Sequence, residues 1–271
     1  MTKLSNIYFP TGEIEKTFIN SIWWLSDHDF NERKEIILPK GTVEIIFNFS
    51  DTTNYINSSL QVPKSLPLVF INGINFKPFE LTKTGRQEFL GIQLNSIGLR
   101  LLFNISAKEF NDSVLEGGAI CSQLNNLAYE LYYKQTFSQQ VEMILTWIRN
   151  KITLSDSQYS ISRANKLLSL SHQHHLTVNH ICEQVCLSDR QLMRFAQDWL
   201  GMNTEDFIQY HKYLYCLHLL RDSKQTLTEI AYEAGYYDQS HFIREFKSYT
   251  NLTPKQYREA NVEFHGHINL I

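Results

Sequence analysis

The sequence predicts an α+β chain in two parts. A β-rich N-terminal half with the pattern of a small antiparallel sandwich or barrel, closed by helices, precedes an all-helical C-terminal half. Three observations carry this reading. Apolar residues change from short strand-like runs to a helical period near Ile97, a helical segment occurs twice in the second half, and the composition is that of a globular protein. The chain has 271 residues, 43% hydrophobic and 20% charged, with 11 Gly and 6 Pro. That suits one large domain or two of ordinary size and excludes collagen-like or low-complexity material.

The N-terminus interrupts its apolar residues with Asn6, Pro10, Glu13 and Glu15, so no secretory signal is read there. No apolar run is long enough to span a bilayer. The cysteines Cys121, Cys182, Cys186 and Cys216 are too few for a disulfide framework, and a reducing, cytoplasmic setting is expected. From Ile36 to about Leu94 the runs IIL, VEIIFNF, LVFI, FEL and FLGIQL are rich in β-branched and aromatic residues. Pro39-Lys40-Gly41, Asn72-Gly73 and Gly85 separate them, as turns separate antiparallel strands. After Ile97 the period is helical, with Ser106 and Glu109 spaced as a capping box. Leu124, Leu127 and Leu131, then Val141, Ile144, Leu145 and Ile148, predict two helices that close a domain of residues 1–155. Ser155-Asp156-Ser157-Gln158 is the expected linker, and from about Ser160 onward no strand is expected.

The repeat is the most informative feature. Residues Leu176–Phe207 and Leu227–Tyr257 align, with Ile181 on Ile230, Cys182 on Ala231, Val185 on Ala234 and Cys186 on Gly235. After one extra residue in the second copy's turn, Leu192 falls on Phe242, Arg194 on Arg244, Trp199 on Tyr249 and Phe207 on Tyr257. A first helix, a tight turn and an amphipathic second helix are the layout of a helix-turn-helix. In the first copy Leu192, Phe195, Ala196 and Trp199 should face inward, leaving Arg190, Gln191, Arg194 and Gln197 outward. In the second, Phe242, Phe246 and Tyr249 face inward, while Gln239, Ser240, Arg244 and Lys247 are exposed. Arg pairs with guanine and Gln with adenine in the major groove, so both faces carry suitable groups for double-stranded DNA. A helix from about Thr204 to Arg221 links the copies; its roughly 18 residues span about 27 Å, near the roughly 34 Å between successive major grooves.

Charge opposes this reading at the level of composition. Residues 1–159 hold 14 basic and 16 acidic side chains, and residues 160–271 hold 11 and 12. A polyanion-gripping body is excluded. The positive charge is instead placed: Arg190, Arg194, Arg244 and Lys247 face outward, whereas Glu229, Glu233, Glu259 and Glu263 lie off those faces. Modest non-specific affinity follows, with dimerisation available to add avidity.

The segment AYEAGYYDQSHFIREFKSYTNLTPKQYR, Ala231 to Arg258, resembles the second helix-turn-helix of AraC/XylS-type bacterial transcription regulators. The match is dense in Ala231, Gly235, Tyr236, Asp238, Gln239, Ser240, Phe242, Arg244, Phe246, Lys247, Pro254, Tyr257 and Arg258. The resemblance covers about residues 160–260 and leaves 261–271 as a C-terminal tail. It implies sequence-specific DNA binding by recognition helices near Ser188–Asp198 and Asp238–Tyr249. The first copy departs from the pattern at Ala196, Thr204, Lys212 and Cys216. ILPKGTVEIIFNFSD, the Gly73 turn and EFLGIQLNSIGLRLLF resemble the cupin-like sensor domains often joined to this reader, which implies a small β-barrel that binds an effector or mediates dimerisation.

Other residues have two readings. Cys182 and Cys186, near His180, could bind zinc or sense redox state, but each aligns with a small residue of the repeat and is read as structural filling. His172, His174 and His175 are read as a solvated helix end, and Trp23 and Trp24 as core aromatics with an effector pocket the alternative. His28 is the one histidine before His172, so a metal-holding catalytic site is not expected in the first half. The reading is therefore a transcription regulator, not an enzyme, with no cofactor, catalytic residue or metal. Its expected partners are double-stranded DNA, a small-molecule effector, RNA polymerase if it activates, and a second copy of itself. The alternative is a helical protein-interaction module on an oligomerising β-barrel, without DNA binding.

Overall fold

The computed structural model describes residues 4–29, 31–152, 158–171, 173, 176–260, 262–264 and 266–270. The expected linker residues Ser155, Asp156 and Ser157, and His172, His174 and His175, lie outside them. In chain order the first half runs β1 (Leu4–Tyr8), α1 (Glu13–Lys16), β2 (Ile19–Asp27), β3 (Arg33–Ile37), β4 (Val43–Asn48), β5 (Thr52–Ile56), β6 (Lys64–Ser65), β7 (Val69–Asn72), β8 (Phe79–Thr84) and β9 (Gln87–Leu94). It continues with α2 (Ser96–Phe103), a 3-10 turn (Ala107–Phe110), β10 (Val114–Glu116), α3 (Gly117–Ile120), α4 (Gln123–Tyr132) and α5 (Phe137–Lys151). The second half contains α6 (Gln158–Leu170), α7 (Val178–Val185), α8 (Asp189–Leu200), α9 (Thr204–Asp222), α10 (Leu227–Glu233), α11 (Gln239–Thr250), α12 (Pro254–Glu259), β11 (Val262–Phe264) and β12 (His267–Leu270). The expected α+β architecture is present.

Two antiparallel six-stranded sheets make the N-terminal domain, in the orders β1-β2-β9-β4-β7-β10 and β11-β12-β3-β8-β5-β6. The first sheet is apolar on both faces, which explains why VEIIFNF does not alternate. Side chains two apart share a face: Ile45, Phe47, Ile71, Leu90 and Ile92 join the helical side of the core, with Leu124, Leu131, Ile144 and Ile148 of α4 and α5. Ile46, Phe70 and Phe89 point the other way and cluster with Tyr55 and Leu81 of the second sheet. Gly91 stands directly across from Trp23 in the β2–β9 ladder, and a Cβ there would lie 2.1 Å from the indole. The missing side chain is what lets Trp23 lie against the sheet.

Two expectations are corrected. Ser106 does not open a helix: it precedes a single 3-10 turn and its side chain makes no cap bond, because the helix has already run from Ser96 to Phe103. The C-terminal residues, expected to hold no strand, form β11 and β12, and β12 pairs with β3 from His267↔Ile37 to Leu270↔Lys34. A four-residue strand is too short to show a period, and it is held by an existing sheet edge with Ile268 buried beneath it. The chain thus leaves the N-terminal domain, passes through the helical domain and returns to the edge of the second sheet.

The helical domain packs on the N-terminal domain through α9. Tyr213 donates to the Pro39 carbonyl at 2.7 Å, and Tyr210 accepts from the Gly41 amide at 3.1 Å while donating to the Asn75 carbonyl at 2.9 Å. Phe76, Tyr210, Tyr213 and Tyr249 form an aromatic cluster at this junction, with Tyr213 and Tyr249 stacked at 4.5 Å. Lys77 reaches the Ser248 carbonyl of α11 at 2.7 Å, and Arg100 pairs with Asp198 of α8 at 3.2 Å.

Candidate nucleic-acid interface

Each half of the repeat is a three-helix unit: α7, α8 and the start of α9, then α10, α11 and α12. In α8, Leu192, Ala196 and Trp199 are buried and Phe195 is half-buried; in α11, Phe242 and Phe246 are fully buried and Tyr249 is half-buried. Truncating either buried Phe to Ala would cost about 3 to 5 kcal/mol. The inward faces are therefore those the spacing predicts. Their opposites are open: Arg190, Gln191 and Arg194 on α8, and Ser240, Arg244 and Lys247 on α11, are exposed.

The helix ends are fixed by local chemistry. Thr177, Asn203, Thr226, Asp238 and Thr253 each accept a hydrogen bond from the backbone amide three residues on, satisfying an otherwise orphaned donor. The turn of the second unit needs a left-handed residue, supplied by Gly235 at φ +76°; the first unit uses Cys186 at φ +53°. This corrects the reading of Cys186 as filling: its side chain is exposed, and it aligns with glycine because of the backbone conformation. Cys182 is half-buried, and burial together with nearby Asp189 raises its thiol above the usual range, which disfavours the reactive thiolate.

Two of the sequence-derived contact residues have structural partners as well. The Gln191 Oε1 accepts from the Ser188 amide at 3.0 Å and its hydroxyl at 2.8 Å, closing a capping box. Gln239, half-buried, accepts at Oε1 from the Thr228 hydroxyl at 2.6 Å, tying α10 to α11. The three-residue spacing from Ser188 to Gln191 carries that capping signal in the sequence. Sequence reasoning passed over Tyr237, which stands 85% exposed in the turn immediately before α11, and Met193, exposed on α8. An isolated aromatic in a turn carries no periodic signal, so nothing in the sequence separates it from the core tyrosines.

The linking helix is a scaffold between the units. Its 19 residues span about 28 Å at 1.5 Å each. Lys212, one of the departures from the AraC pattern, donates to the Gly235 carbonyl at 3.0 Å and so grips the turn of the second unit. Arg258 of α12 instead holds the end of α9 and its connection to α10, donating to the carbonyls of Leu220 at 3.3 Å and Gln225 at 2.9 Å. Glu245 of α11 faces inward; burial raises its carboxyl, against the hydrogen bond from Tyr236 at 3.0 Å and the nearby His241 and Lys212.

A second site lies between the two sheets, a cavity of about 650 Å³. Trp23, Trp24, Ile46, Phe70 and Phe89 wall it from the first sheet, and Ile37, Phe79 and Leu81 from the second. The Trp23 indole donates to Glu44 at 3.1 Å, Lys40 lies 3.6 Å from Glu44, and Lys83 pairs with Glu35 at 2.7 Å. His267 of β12 completes the wall, 3.4 Å from Glu35 and 3.3 Å from Lys40. Burial opposes ionisation of Glu35, but the His267 hydrogen bond and the Lys83 charge outweigh it and hold the carboxyl at about 2. Burial and the adjacent Lys40 lower His267 from its ordinary range.

Two helix-turn-helix units are thus carried on one linking helix, each with an exposed basic face on its second helix. Residues 181–260 match the family described as "Helix-turn-helix domain", and residues 8–116 match "Domain of unknown function (DUF6597)". A helix-turn-helix domain in the C-terminal half is thus joined to a separate N-terminal domain that matches a different family. The chain is 28% identical over 124 residues to the HTH-type transcriptional activator RhaS of Escherichia coli (strain SE11), covering 45% of each chain. It is 31% identical over 83 residues to an uncharacterized HTH-type transcriptional regulator of Haemophilus influenzae, covering 31% of this chain and 28% of that one. The chain spans about half the length, or less, of these curated relatives. Among solved structures, ToxT from Vibrio cholerae with bound unsaturated fatty acid is 14% identical, covers 94% of both chains and superposes with a TM-score of 0.47.

Proposed function

We propose that the full chain is an effector-responsive, sequence-specific transcription regulator acting in the cytoplasm on double-stranded promoter DNA. The observation that carries this is the pair of exposed faces, Arg190 and Arg194 on α8 and Arg244 and Lys247 on α11, borne on one rigid helix. Arg194 and Arg244 are the base-reading residues, with bidentate geometry suited to guanine. Arg190, Gln191, Gln239, Ser240 and Lys247 flank them and meet bases or phosphates. The cavity between the sheets is the effector site, and its occupancy shifts the population between DNA-competent and incompetent arrangements. A second copy of the chain and RNA polymerase are the protein partners of this reading.

Titrating random duplex DNA with the full chain across 50 to 200 mM salt tests it. A reader of this kind loses affinity steeply as salt rises, with a slope set by the phosphates neutralised. Absent or salt-insensitive binding would favour a protein-interaction module on an oligomerising β-domain instead. For the effector, residues 158–260 are the informative fragment, because deleting only 1–155 would leave β12 without the β3 edge it pairs with.

A further inference from the structure

The polar wall of the cavity is a single chain of contacts that crosses from one sheet to the other. Trp23 donates to Glu44, Glu44 faces Lys40, Lys40 reaches His267, His267 reaches Glu35, and Glu35 holds Lys83. An ammonium can only donate, so the Lys40 contact makes Nε2 of His267 the acceptor and leaves Nδ1–H to donate to Glu35. His267 is therefore neutral in this arrangement. Each lysine of the lining is paired with a carboxylate, Lys40 with Glu44 on the wall and Lys83 with Glu35 behind it. A lysine already paired offers an ionic guest little, and an unpaired charge taken out of water is costly. The remaining walls are mostly apolar and aromatic.

We propose that this cavity takes an uncharged, predominantly apolar molecule, and that His267, delivered by the strand that follows the DNA-reading domain, completes its binding site. The inference rests on the reading of the cavity as the effector site and adds two things to it: the ligand class, and a binding residue from the far end of the chain. The volume of about 650 Å³ lies within the range of small-molecule sites. His267 contacts both Lys40 and Glu35 and so keeps the charged side of the wall in its paired arrangement, with no charge turned on the guest. Because α12 is followed directly by the β11–β12 hairpin, a ligand that tightens this wall also tightens the return of the chain from reader to sensor.

The test uses three probes with one apolar body: 1-naphthol, 1-naphthoate and 1-naphthylmethylammonium, titrated calorimetrically into the full chain. The expected result is naphthol binding at least tenfold tighter than either ion. His267→Leu should weaken it at least tenfold, and His267→Gln, which keeps one donor and one acceptor, should restore most of it. Leu81→Trp, which fills the cavity, should abolish it. If Leu81→Trp leaves naphthol binding unchanged, the cavity is not the ligand site and the effector reading itself fails. If Leu81→Trp blocks binding but an ion binds as tightly as naphthol, the ligand class is overturned while the effector reading stands. No effect of His267→Leu overturns the role of β12, and no binding of naphthol to the unaltered chain overturns the ligand class.

Discussion

The hydroxyl of Tyr213, on the helix that links the two helix-turn-helix units, donates to the carbonyl of Pro39, at the turn between β3 and β4, at 2.7 Å. Tyr210, three residues earlier, accepts from the amide of Gly41 in the same turn. The residue between them, Lys40, is the one that enters the cavity wall. The linking helix and the cavity thus meet at a single three-residue turn, which gives the cavity a short physical route to that helix.

Replacing Tyr213 by Phe keeps the ring stacking on Tyr249 and removes only the hydroxyl, leaving a buried carbonyl unpaired. The full chain should lose about 1 to 3 kcal/mol, read as a lower midpoint in denaturant. The isolated reader, residues 158–260, has no Pro39 to lose and should respond by only a few tenths of that amount. Equal destabilisation of both would place the contribution of Tyr213 inside the reader.

The repeat offers a comparison within one molecule. At the first position of α12 the second unit has Pro254, while the first unit has Thr204, whose hydroxyl is buried with no partner among the described residues. Proline suits this position because its missing N–H is not needed and its φ is pre-set. The preceding Asn203 is already extended, as proline requires. Thr204→Pro should stabilise the chain by about 0.5 to 1 kcal/mol, visible as a higher midpoint at unchanged slope.

Cys186 occupies the left-handed turn position that Gly235 fills in the other unit. A non-glycine residue there costs about 1 kcal/mol or more. Cys186→Gly should recover most of that, and Cys186→Val should lose further stability because a β-branched side chain tolerates positive φ least. Thermal unfolding of the three chains ranks them directly.

Acid should unfold the N-terminal domain through Glu35. Its folded carboxyl sits at about 2, below its ordinary value, so the stability it contributes is fully present above about 4.5 and is lost as pH falls from there toward 2. His267 is lowered as well, so the neutral ring's contribution is present above its ordinary range near 6.5 and starts to be lost as pH drops below it. Glu35→Gln should flatten the lower part of the profile and His267→Gln the upper part, both measured by denaturant midpoints from pH 7 to pH 3.

Much of the reader was legible because a repeat constrains both copies at once. Leu192, Trp199, Phe242 and Phe246 fall on the buried face by spacing alone, and the linking helix ends within a residue of its expected bounds. The strands from β3 to β9 were legible where turn residues separate them, apart from the short β5 and β6. What spacing could not show is long-range. The pairing of β12 with β3 joins residues more than two hundred positions apart, the Gly91 gap is meaningful only beside Trp23, and the dual duty of Gln191 and Gln239 depends on which neighbour each side chain meets first.

Selection of binding sites from a random duplex pool tests the central claim most directly, carried out with the full chain and with Arg194→Ala and Arg244→Ala. Two reading helices on one linking helix predict an enriched site with two blocks about 10 to 10.5 base pairs apart. Each substitution should relax preference in one block only, at a cost of about 1 to 3 kcal/mol. A pool that shows no enrichment, or a site whose two blocks are unchanged in both variants, would contradict the account.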